Sequence, residues 1–301
     1  MKGESKIFVI IVTYKGQQWY DRCFGSLRKS SLPVQVVVVD NTPGNDDAEY
    51  IKSHYQEIHL IKPEENLGFG RANNLAMRYA LDHGCDYVFL LNQDAWIEPD
   101  SIEKLVGIAE RHPEFGILSP MQMTKEKDHL NILVDDGKQN YELLSDAYCG
   151  SLKEYYLVKY VNAAAWLLPR KTLETVGGFD PIFKHYEEDD DYLNRAIYHQ
   201  LGIAFCPKVQ VVHDHTTLHN PFEQTISRHQ QFLLLEHVNL NKPEHVNAHM
   251  RYLLRKAMVS ALRLKMKDCR AYYADYKYLR KMRSAILNSR KNNKEKKASW
   301  L

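Results

Sequence analysis

Four acids stand side by side at Glu188-Asp189-Asp190-Asp191, preceded by Gly177-Gly178-Phe179-Asp180 and followed by Arg195. Adjacent carboxylates repel one another, so such a run is tolerated for a reason. One reason is structural: acids in a first helical turn meet the positive end of the helix dipole, and residues 192–199 have helical character. Another is chemical, because a carboxylate within hydrogen-bond reach of a hydroxyl can take its proton. The two are compatible, since a helix N-terminus can aim one acid into a crevice. Asp94 closes Leu90-Leu91-Asn92-Gln93-Asp94, just past an apolar run. There a carboxylate can hold a hard divalent cation or simply end a strand in a turn. Residues 209–215 alternate like a strand and deliver His213 and His215, hydrogen-bonding residues unless Asp94 lies close by.

The loop Asn66-Leu67-Gly68-Phe69-Gly70-Arg71-Ala72-Asn73-Asn74 has glycines that let backbone N–H groups approach a phosphate at a helix start. It is not a dinucleotide fingerprint, since Arg-Ala-Asn follows G-x-G where a third glycine is required, and no P-loop motif occurs.

These residues need elements to hold them. Residues 7–12 are a continuous apolar run ending at Thr13-Tyr14, the pattern of a strand buried on both faces. Helices are expected at 19–30, 47–55 and 71–83, and strands at 34–39, 58–62 and 87–91. This alternation predicts a mostly parallel, doubly wound α/β sheet. Such sheets bind ligands at the carboxyl ends of their strands, which puts Thr13-Tyr14, Asp40-Asn41 and Asn92-Gln93-Asp94 around one crevice. Residues 121–155 read as irregular segments and short strands. From about residue 221 the pattern turns helical, and 289–297 is a charge run expected to fray.

The chain has 301 residues and net charge +2, unevenly spread. Residues 251–301 hold 16 Lys/Arg against 3 Asp/Glu, leaving 24 basic and 35 acidic groups before them. An acidic body argues against nucleic acid as partner, whereas a basic tail suits an anionic lipid surface. Five cysteines without a C-x-x-C pair point to a reducing compartment. No apolar run is long enough to span a bilayer, so a cytoplasmic protein, at most peripheral on the inner face of the cell membrane, is expected.

Six motifs in one order carry a resemblance: Val12-Thr13-Tyr14, Val39-Asp40-Asn41, Asn66-Leu67-Gly68-Phe69 with Ala72-Asn73, Leu91-Asn92-Gln93-Asp94, Gly177-Gly178-Phe179-Asp180 and Glu188-Asp189-x-Asp191. Together, over about residues 6–215, the chain resembles family 2 glycosyltransferases, most of all their rhamnosyltransferase-like branch. The resemblance implies a GT-A fold, an inverting mechanism and a divalent metal, Mn2+ or Mg2+. It places Thr13, Tyr14 and Asp40 at the nucleoside and Asn66, Gly68, Arg71 and Asn73 on the donor loop. Asp94 matches the last acid of the family's D-x-D, with Asn92 in place of the first, and His213 is implied as a further metal ligand. Asp189 falls on the catalytic base, with Glu188 and Asp191 positioning it or binding acceptor. Glu187 stands where the family usually has glycine. Small residues before Trp166 leave room for a ligand, and its ring could stack on an acceptor sugar or simply pack in a core strand.

The expected division is a catalytic domain over 1–220, with 1–120 binding the nucleotide sugar and 121–220 the acceptor, and a helical basic extension over 221–301. The expected function is transfer of a sugar from a nucleotide diphosphate donor to a sugar or lipid-linked glycan hydroxyl, in surface polysaccharide synthesis. The alternatives are a non-catalytic nucleotide-sugar binding protein and a nucleotidyltransferase. The tail is expected either to lie on anionic lipid through an apolar stripe in residues 252–287, or to pack on the catalytic domain with a solvated basic face.

Overall fold

The computed structural model describes residues 5–44, 46–130, 137–184, 186–214, 225–297 and 299–301. Its first half runs β1 (Ile7–Thr13), α1 (Gln17–Leu27), β2 (Val34–Asp40), α2 (Asp46–His54), β3 (His59–Ile61), α3 (Gly68–Asp82) and β4 (Tyr87–Leu91). It continues with β5 (Ala95–Ile97), α4 (Ser101–Arg111), β6 (Phe115–Met123), α5 (Gly137–Tyr148), β7 (Tyr156–Leu157), β8 (Ala165–Pro169), α6 (Arg170–Val176), α7 (Glu188–Tyr198) and β9 (Gly202–His213). Three helices follow: α8 (Thr225–Val238), α9 (Val246–Leu262) and α10 (Met266–Asn293).

One sheet organises the chain, in the order β3-β2-β1-β4-β8-β6-β9-β5, with β7 pairing on β9. From β3 to β4 it is parallel, as the alternating apolar runs require. Beyond β4 it turns mixed: β8 is antiparallel to both β4 and β6, while β6 and β9 pair in parallel. The β1 run is buried on both faces. Phe8 and Ile10 join one core, with Val37, Val39 and Trp166, while Ile7, Val9 and Ile11 join the other. Each such side chain, fully removed from water, stabilises the fold by about 1.5–3 kcal/mol.

Two expectations are corrected. The stretch 121–155, read as irregular, contains α5; of its apolar residues Leu143 is buried but Tyr141, Leu144 and Tyr148 are exposed, so no apolar stripe announced it. The charge run 289–297 is not frayed. Ser289, Arg290 and Asn293 are buried, and the Lys297 N–H donates to the Thr175 carbonyl at 3.2 Å. The extension has its own small core, Leu234, Val238, Val246, Leu253, Leu279 and Ile286, which takes in Phe183 from the catalytic half.

Candidate active site

The carboxyl ends of β1, β2 and β4 open onto a cleft of about 640 Å³, lined among others by Tyr14, Asn41, Asn66, Gly68, Asn92 and Asp94. Two residues assigned to the donor lie behind its wall. Thr13 and Asp40 are fully buried, and the Asp40 carboxylate is already engaged by the Thr13 hydroxyl at 3.2 Å, the Thr42 N–H at 2.9 Å and the Lys62 ammonium at 2.9 Å. A buried carboxylate held by a cation and two donors is fixed in place. Asp40 therefore braces the turn that presents Asn41. The Asn41 side chain in turn accepts the Leu67 N–H and donates to the Gly68 carbonyl, both at 3.2 Å, tying β2 to the donor loop. Gly68 has φ +76°, a conformation that costs a side-chain-bearing residue about 1–2 kcal/mol.

Asn73 is buried, its amide donating to the Phe69 carbonyl at 3.0 Å. Arg71 bonds the Leu67 carbonyl at 3.1 Å and Glu65 at 2.9 Å, and borders a neighbouring cleft of about 420 Å³ with Lys184. The resemblance gave no role to Gln93, yet its amide accepts the Tyr14 N–H at 2.9 Å and donates to the Tyr14 carbonyl at 3.2 Å, locking β1 to β4.

The 94–97 segment and β9 are adjacent antiparallel partners, so Ala95 pairs with His213 and the two side chains meet across the register. The His213 Nε2 lies 3.4 Å from Asp94 Oδ1 and 3.5 Å from the Asn92 amide nitrogen. The Asp94 carbonyl accepts the Asp214 N–H at 2.8 Å, which fixes the pair from behind. An imidazole and a carboxylate so close, one of them on the cleft wall, form a donor set that fits a divalent cation. His215 lies outside the described residues.

The four acids of α7 divide by environment. Glu187, in the glycine position, has φ +68°, so the turn the family makes with glycine is kept here by a strained side-chain-bearing residue. Glu188 is buried, and burial pushes its carboxyl up to about 7. Asp189 is half-buried; burial raises its carboxyl, while the Asp190 N–H at 3.0 Å and the Ala163 N–H hold it back. Asp191 is buried against Arg195 at 2.7 Å, and burial still carries it up to about 6. The Arg195 guanidinium also donates to the carbonyls of Val176 and Gly178, so Asp191 anchors the helix to the Gly177-Gly178 loop. The expected acceptor role of Asp191 is corrected on this ground, because both its charge and its surface are consumed inside the fold.

Trp166 is corrected likewise. It is 0% exposed, its ring centroid 6.4 Å from that of Phe179 and 5.9 Å from that of Tyr192, so no sugar reaches its face. The small residues before it matter through their backbone. The Ala164 carbonyl accepts the Asn92 N–H at 2.9 Å, and the neighbouring Ala163 backbone favours the ionised form of Asp189. Asn162, whose side chain accepts the Ala164 N–H at 2.7 Å, shapes that link. Asn74 latches the Phe179 backbone through both its oxygen and its nitrogen, at 2.7 and 2.8 Å. Neither asparagine carried a spacing signal that would have marked its role.

Residues 8–131, which build the cleft side of this arrangement, match the Glycosyl transferase family 2 model. The chain carries a family 2 glycosyltransferase domain. The chain is 23% identical over 227 residues to the low-salt glycan biosynthesis hexosyltransferase Agl10 of Haloferax volcanii, covering 74% of the chain and 72% of that protein. It is 24% identical over 252 residues to the N-acetylglucosaminyl-diphospho-decaprenol L-rhamnosyltransferase of Mycobacterium tuberculosis, covering 74% and 81%. Among solved structures, TarS 1–349 of S. aureus in complex with UDP-GlcNAc superposes with a TM-score of 0.59 at 13% identity, covering 96% of this chain and 90% of that one. The chain spans 54% of the longer TarS chain. The fold is therefore GT-A, and the relatives that the chain resembles are hexosyl- and rhamnosyltransferases.

Proposed function

We propose that the chain is a divalent-metal-dependent, inverting glycosyltransferase that moves a sugar from a nucleoside diphosphate donor to a hydroxyl of a glycan or lipid-linked acceptor. The observation that carries this reading is the Asp94–His213 pair at 3.4 Å, with Asp94 on the wall of the cleft that Tyr14, Asn41 and Gly68 also line. The donor lies along Tyr14, Asn41 and the Asn66–Gly68 turn, with its diphosphate toward Asp94. When bound by Asp94 and His213, with Asn92 beside them, the divalent ion supplies neutralisation of the charge that grows on the departing diphosphate.

Asp189 takes the proton of the acceptor hydroxyl as its oxygen attacks the anomeric carbon. The bond to diphosphate breaks on the opposite face, so configuration inverts. Burial raises the proton affinity of Asp189, and the Asp190 N–H at 3.0 Å helps fix the carboxylate's direction. Glu188, with its carboxyl pushed up to about 7, is largely protonated below neutrality and spares Asp189 a second full charge alongside. A panel of nucleotide sugars, read by metal-dependent thermal stabilisation and diphosphate release, tests the reading. Release of pyrophosphate from a nucleoside triphosphate would instead identify a nucleotidyltransferase, and binding without turnover a non-catalytic binder.

The tail adds a partner. No described helix is long and apolar enough to cross a membrane. The turn between α9 and α10, however, exposes Leu262 and Leu264 at 85% each, with Met258 and Met266 also exposed. Arg263, Lys265 and Lys267 flank them, all exposed. Apolar tips ringed by cations suit insertion among anionic headgroups. That turn, rather than the whole stripe of residues 252–287, is the surface that would carry the enzyme to a lipid-linked acceptor.

A further inference from the structure

We propose that His237, His245 and His249 form a binding site for a transition-metal dication of the zinc class, separate from the sugar-transfer crevice. One nitrogen from each ring lies within 4.8 Å of the other two, the one group of three potential ligands so placed among the described residues. His237 comes from the last turn of α8, His245 precedes α9, and His249 lies in its first turn. The spacing of His245 and His249 puts both rings on one face of the helix, and the α8–α9 connection folds His237 back against them.

The ring directions favour ligation. His245 Nδ1 donates to the Pro243 carbonyl at 2.9 Å, which fixes its tautomer and leaves the Nε2 lone pair for a metal. His237 Nε2 and His249 Nδ1 face each other at 2.9 Å, a pair of nitrogens that one cation can bridge in place of a shared proton. His237 is buried while His245 and His249 are partly exposed, so the group opens to solvent on one side and leaves room for a water as fourth ligand. The carboxylates of Glu236 and Asp275 act on the cluster favourably for a cation, and Arg290 acts against it. Three imidazoles with no carboxylate in contact select zinc-class ions over magnesium or calcium, which take oxygen.

The site has a structural consequence. Arg290 of α10 donates to the carbonyls of His237, Asn239 and Lys242, at 3.1, 2.6 and 2.8 Å, so the loop a metal would pin is the one that holds α10. The proposal does not rest on sugar transfer. The test uses the full chain carrying Asp94→Ala, which removes the crevice carboxylate, titrated with Co2+ and then Zn2+. Expected are tetrahedral-type visible absorption with Co2+, its loss on equimolar Zn2+, and a raised melting temperature. His245→Gln and His249→Gln, both at partly exposed positions, should each weaken binding at least about tenfold. Absence of the Co2+ spectrum, or binding unchanged in both variants, overturns the site.

Discussion

The Asn293 side chain donates to the carboxylate of Asp180 at 2.7 Å, joining the end of α10 to the Gly177-Gly178-Phe179-Asp180 loop that precedes the acids of α7. Ser289 adds a second donor to the same oxygen, and the Ser299 carbonyl accepts the Gly178 N–H at 2.7 Å. The extension is therefore a clamp on the loop that precedes α7. Asn293→Ala, which leaves a buried carboxylate short of a donor, should cost about 1–3 kcal/mol in urea unfolding and lower transfer. Deleting residues 251–301 should give a destabilised chain rather than a freed catalytic domain, seen as a lower melting temperature.

Asp189→Asn keeps the size of the side chain but removes the proposed base. Transfer should fall about 100- to 10,000-fold while donor-induced thermal stabilisation persists. Wild-type turnover in this variant would remove Asp189 from the mechanism.

Asp94→Ala should abolish the part of donor stabilisation that depends on added Mn2+ or Mg2+. His213→Ala should weaken it at least about tenfold, since it removes a proposed ligand rather than an outer contact. Melting curves with donor, in metal and in chelator, separate the two contributions. Equal shifts in chelator would sink the metal assignment.

Glu188 gives a pH signature. Its folded carboxyl stands at about 7 against 4.5 for the free group, so the fold prefers the neutral form. The stability this lends is complete below about 4.5 and is lost as pH rises through about 7. Glu188→Gln has nothing to lose, so at pH 8 it should exceed wild type by roughly 3 kcal/mol or less, the gap closing below pH ~4.5. Urea titrations at the two pH values check the sign.

Leu262→Glu with Leu264→Glu should reduce sedimentation with anionic vesicles at low salt while leaving transfer to a soluble acceptor unchanged. Both residues are 85% exposed, so the fold should tolerate the change. Undiminished vesicle binding would exclude the α9–α10 turn as the contact.

Much was legible before any coordinates. Apolar runs such as residues 7–12 and 36–39 determine a strand buried on both faces, and their alternation with helices determines a parallel half-sheet whose strand ends face one cleft. Asp94 was legible because a carboxylate just past a buried strand stands at that rim. What could not be read is how four neighbouring acids share their work. Asp191 is claimed by Arg195, and Asp189 and Glu188 by burial, each decided by atoms brought in from elsewhere in the chain. Trp166 shows the same limit, since small neighbours suit both a ligand cavity and a packed strand, and only the rings of Phe179 and Tyr192 settle which. The basic tail looked free because charge density is local. Its attachment depends on Ser289 and Asn293 meeting a carboxylate more than 100 residues earlier in the chain, and hydrogen bonds of that range leave no periodicity to read.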